Sequence, residues 1–69
     1  MILEYLEFKE HVNSTLSKFK AKLTSYKTHG VDSIEQFYEL PSGTQLVLNA
    51  RMMADGGRIE FSWKWVLAE

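Results

Sequence analysis

From Tyr5 to Tyr26 the large apolar residues recur at steps of three and four, and from Ser33 onward that rhythm gives way to alternation. This change of period is the strongest constraint on the fold. A 3.6-residue repeat marks one face of a helix, and a two-residue repeat one face of a strand. Tyr5, Phe8, Val12, Leu16, Phe19, Leu23 and Tyr26 fall within an arc of about 80° on a wheel of 100° per residue. No Gly or Pro interrupts residues 2–28, and His29-Gly30 reads as a helix end, a cation at the negative pole followed by a residue that tolerates a left-handed φ. The sequence predicts one helix over about residues 2–29, roughly 40 Å long.

Two turn signals divide the remainder. Pro41-Ser42-Gly43 and Asp55-Gly56-Gly57 carry the residues that tight turns require. The segments around them predict strands at about 33–40, 44–53 and 58–67. Parity fixes their register. With Met53 opposite Arg58, the pairs Met52–Ile59, Ala50–Phe61, Leu48–Trp63 and Leu46–Trp65 are all apolar, while Arg51–Glu60, Asn49–Ser62 and Val47–Lys64 share the other face. With Leu40 opposite Thr44, Tyr38 meets Leu46 and Ile34 meets Ala50. A slip of one residue would invert every one of these positions. The expected fold is α+β, a single domain over 1–69 in which one long helix packs on a three-stranded antiparallel meander in the order α-β-β-β.

A strand of eight residues spans only about 26 Å, so such a helix would overhang its sheet. The overhang, with Ile2, Leu3 and Leu6 adding apolar side chains off the main stripe, calls for a second surface. A homodimer through the helix seam, through the third strand, or through both is the expectation. Glu4, Glu7 and Glu10 at one end of the helix and Lys18, Lys20, Lys22 and Lys27 at the other favour antiparallel pairing. In the outer sheet face, Phe37 and Val47 flanked by Glu35 and Glu39 form one candidate target surface, and Ile2, Leu3 and Leu6 form a second.

The composition closes other routes. A chain of 69 residues lies near the lower limit for independent folding, where small domains lean on disulfides, metals or association. There are no cysteines and only two, widely separated, histidines, which favours association and a reducing compartment. No signal-peptide pattern and no run of 18 apolar residues is present, so a soluble cytoplasmic protein without a membrane partner is expected. His11 and His29, the serines and Gly56-Gly57 lack the companions that catalysis, metal binding or phosphate cradling need. No enzyme activity and no cofactor is expected.

Nucleic acid is the competing partner, through Lys18, Lys20, Lys22 and Lys27. With a net charge of −1 the chain has few bases to spare, and these four straddle the predicted helix rather than forming one stripe. The order α-β-β-β resembles the start of a double-stranded RNA-binding domain but lacks that domain's second, basic helix. The sequence-based expectation is a non-enzymatic, homodimeric protein-interaction module that binds and modulates a larger protein, of the kind small phage or mobile-element proteins provide. A subunit of a larger assembly is the remaining possibility.

Overall fold

The computed structural model of the chain describes residues 1–67. Its elements are β1 (Ile2–Glu4), α1 (Tyr5–Phe19), β2 (Lys22–His29), β3 (Ser33–Glu39), β4 (Gln45–Met52) and β5 (Arg58–Val66). The five strands form one antiparallel sheet in the order β1-β5-β4-β3-β2. The fold is α+β, but the predicted long helix and three-stranded meander are both overturned. The helix has 15 residues, and the segments on either side of it are strands.

The helix stops early because Lys20 takes the left-handed conformation, with φ at 53°. Its N–H donates to Ser17 O, and Ala21 N–H donates to Leu16 O. These two bonds make a Schellman end, normally built on glycine, and they satisfy carbonyls that would otherwise be orphaned. Beyond it lie Leu23-Thr24-Ser25-Tyr26-Lys27-Thr28, where β-branched and aromatic residues suit a strand better than a helix. Gly30 does have a positive φ, but it serves the β2–β3 turn rather than a helix end. At the other end, Tyr5 N–H donates to Gly57 O, so the β4–β5 turn holds the first turn of α1 in place of a side-chain cap.

In β3, β4 and β5 the observed pairs are those that parity dictates, from Ile34↔Ala50 and Tyr38↔Leu46 to Leu48↔Trp63 and Arg51↔Glu60. The inner face of the sheet, beneath α1, carries the core: Tyr38, Leu46, Leu48, Ala50, Ile59 and Phe61, closed from above by Val12. Leu46 and Leu48 are 0% and 1% exposed, and burying each contributes about 2 kcal/mol. Phe8, Leu16, Ala21, Leu3 and Trp63 pack around this centre. Phe8 meets Phe61 edge-on at 5.0 Å and Phe19 meets Trp65 at 5.1 Å, so α1 lies along β5.

The β4–β5 turn is held by Asp55, whose Oδ1 accepts from Gly57 N–H and Arg58 N–H while Oδ2 accepts from Arg58 Nε at 2.7 Å. The Arg58 side-chain bond, with the backbone donors behind it, holds the Asp55 carboxyl below its ordinary value.

Two outcomes follow. Lys20→Gly removes a Cβ from a left-handed position and should raise stability by about 0.5–1 kcal/mol, which calorimetry would read as a higher Tm. An unchanged or lower Tm would show that the lysine side chain more than offsets its backbone strain. For Asp55, a depressed folded pKa means stabilisation that is present above the unfolded value of about 3.9 and lost as pH falls through the folded one. The stability deficit of Asp55→Ala in urea should therefore be clear at neutral pH and shrink at about pH 2; a deficit that is constant with pH would assign the residue a purely conformational role.

Candidate functional site

An α-helix is about 10 Å across, whereas the outer strands of a five-stranded sheet lie about 19 Å apart. One helix therefore covers about half of the inner face. Here α1 lies over the β5 side, and among the described residues its substantial backbone contacts are with β1 and β5. The inner face of β2 is left open, whereas on β3 Tyr38 is buried and Ile34 packs against the core. Leu23 and Tyr26, both on that face by register with Tyr38 and Gln36, are 49% and 64% exposed. Between this open half and the helix runs a groove of about 350 Å³ walled by Tyr5, Phe8, Ile34, Leu48, Met52 and Ile59.

The dimensions of the whole molecule reflect that opening. The chain exposes 5075 Å² of surface, whereas a folded monomer of 8.0 kDa is expected to expose about 4,450 Å². Its extents are 39 × 24 × 16 Å, a slab rather than a sphere. The excess, about 600 Å², approaches the roughly 800 Å² that each partner contributes to a stable interface.

The expected helix seam is divided between three places. Phe8, Val12, Leu16 and Phe19 turn onto the chain's own sheet. Tyr5 stands half-exposed at the mouth of the groove, with Lys9 Nζ 5.5 Å from its ring centre. Leu23 and Tyr26 lie on β2, so no helix exists over residues 22–29 to complete an antiparallel helix pair.

The other expected surfaces are also rearranged. Ile2 and Leu3 belong to β1, Leu3 packing on the core, while Leu6 projects from α1 into solvent. Phe37, Val47, Glu35 and Glu39 do share the outer face, but Val47 is only 4% exposed and Phe37 is half-covered, with Lys27 Nζ 5.8 Å from its ring centre. That pair stabilises the sheet across strands and offers little free apolar surface.

The four lysines do not converge. Lys18 lies over the Phe19 ring, Lys27 over Phe37 on the outer face, and Lys20 and Lys22 flank a hollow that they share with Glu39.

His11, for which the sequence offers no catalytic or metal-binding companion, is half-buried against Phe61 and Trp63. Its Nε2 accepts the Trp63 indole N–H at 3.1 Å, a role open only to an unprotonated ring nitrogen. The indole would otherwise be a donor trapped between helix and sheet. Among the described residues no three His, Asp or Glu side chains gather as a metal site, and no helix is long and apolar enough to cross a membrane.

Trp65, placed in the core by alternation, is instead half-exposed and continues into exposed Val66 and Leu67. The sequence signal for this second apolar surface is the run Trp65-Val66-Leu67 itself, three large apolar residues in a row where one-sided alternation would have only every second one. No protein-family model matches the chain, and neither a curated protein nor a solved structure matches it.

Proposed function

We propose that the protein is a non-enzymatic, homodimeric interaction module that binds a larger protein through the open half of its inner sheet face. One observation carries this reading: a single helix leaves the apolar side of β2, with Leu23 and Tyr26, uncovered beside a preformed groove. A half-covered sheet face is costly in water and is stabilised when a partner completes the second layer.

The chemistry of that partner is apolar, because the lysines of residues 18–29 are spread over other surfaces and the groove lining carries Asp32 and Arg51 together. An amphipathic segment complements this face, its apolar side entering beside Tyr26 and Leu23. Binding of this kind modulates its target by occupying the target's segment, without chemistry.

The test uses substitutions on opposite faces of one exposed strand. Chain immobilised and exposed to its native lysate should retain a protein that Tyr26→Glu and Leu23→Glu release at least tenfold more readily, while Ser25→Glu on the outer face leaves retention unchanged. Equal retention by all variants, or greater loss with Ser25→Glu, would remove the inner face from the site.

A further inference from the structure

Of the ionisable side chains on α1, His11 is the one turned onto the sheet. Its ring lies between the helix and β5, 5.1 Å from the Phe61 ring and 6.1 Å from that of Trp63. Trp63 Nε1 stands 3.1 Å from His11 Nε2. An indole nitrogen only donates, so Nε2 has to supply a lone pair, and the neutral ring carries its own proton on Nδ1. Among the described residues this is the side-chain hydrogen bond that joins α1 to the sheet. The rest of the attachment is apolar packing and the bond from Tyr5 N–H to Gly57 O.

Protonation removes that acceptor. Two N–H donors would then point at each other across the same gap, with no bond to make. The sheet supplies no carboxylate in compensation. On β5, Glu60 and Lys64 project from the outer face, Glu60 toward Arg51. On β1, Glu4 takes the outer face with its partner Arg58, and the Met1 amino group is held on Phe61 O. On α1 itself Lys9 reaches over Tyr5 and Lys18 over Phe19, and Glu7 and Glu10 are exposed. Among the described residues none of these is ion-paired with His11. Glu7, one turn before His11, is the carboxylate within reach once the ring leaves Trp63, since residues four apart are neighbours on a helix surface.

We infer that His11 is a pH-operated latch between α1 and β5, closed on Trp63 when neutral and turned toward Glu7 when protonated. Histidines change charge between about pH 5 and 8, so the latch works in that window. Its direction is fixed. The unfolded ring takes up a proton without giving up a bond, whereas the folded ring must surrender one. The latch therefore favours the folded chain at the top of the window, and that advantage is lost as pH falls through it. His29, the chain's other histidine, takes no part. It lies on the outer face of β2, three strands from β5, 59% exposed and 3.6 Å from Glu35. The latch belongs to the fold and stands whatever occupies the groove.

NMR follows both side chains at once. As His11 protonates, the Trp63 indole N–H resonance, identified by its absence in Trp63→Phe, should shift along the same curve as the His11 ring protons. His29→Gln should leave that curve in place. His11→Gln, whose amide oxygen accepts at every pH, should flatten it. In urea, the ratio of folded to unfolded wild-type chain, taken relative to His11→Gln, should fall about fivefold from about pH 8 to about pH 5, the worth of one neutral hydrogen bond. Glu7→Gln should move the curve to lower pH, and an unmoved curve would strike Glu7 as the ring's second partner. An indole resonance that stays fixed while His11 titrates would overturn the latch. So would a His11 ring that remains neutral down to about pH 5. Both of these outcomes are read on the wild-type chain and do not depend on any variant folding.

Discussion

One helix about 10 Å wide has to cover five strands, and it cannot. Most other features of the molecule follow from how that shortfall is distributed. The helix is drawn to the β5 side by Phe8 on Phe61, Phe19 on Trp65 and the His11–Trp63 hydrogen bond. Val12 and Leu16 then close the core over β4 and β5. What remains is an open flank on β2 and the groove beside it. Both are consequences of a single choice of helix position.

The register of the meander was legible in the sequence, since the alternation of Leu46, Leu48 and Ala50 against Trp63, Phe61 and Ile59 permits only one pairing that keeps charge out of the core. The two outer strands were not. Leu23 and Tyr26 continue the helical spacing by coincidence, and the signal that should have broken it, a glycine at the turn, is absent because Lys20 takes the left-handed position. The competing evidence was the cluster of Thr24, Ser25 and Thr28, whose weak helix propensity is a modest preference that tertiary pairing with β3 turned into a strand. Ile2 and Leu3 were readable as surplus apolar residues, but nothing local says that they pair with residues almost sixty positions away.

The candidate surfaces were partly legible. The helical spacing predicts Leu23 and Tyr26 as contact residues on a helix; they are contact candidates on a strand, with the open sheet face rather than a helical seam as their setting. Phe37 and Val47 share the face that parity gave them, yet Val47 is buried there. Exposure depends on what neighbouring strands lay over a position, as Lys27 lies over Phe37, and a single strand's pattern does not contain that information.

The hydrogen bonds between Met1 and Phe61 also fix where the chain's first residue points. β1 runs antiparallel to β5 and reaches its beginning opposite Phe61. Anything joined to the amino end in line with β1, such as an affinity tag or a fusion linker, is led alongside β5, past Trp63 toward Trp65. Such an addition enters as a continuation of β1's pairing, so a tag placed there is read by the sheet as more strand and not as a loose tail.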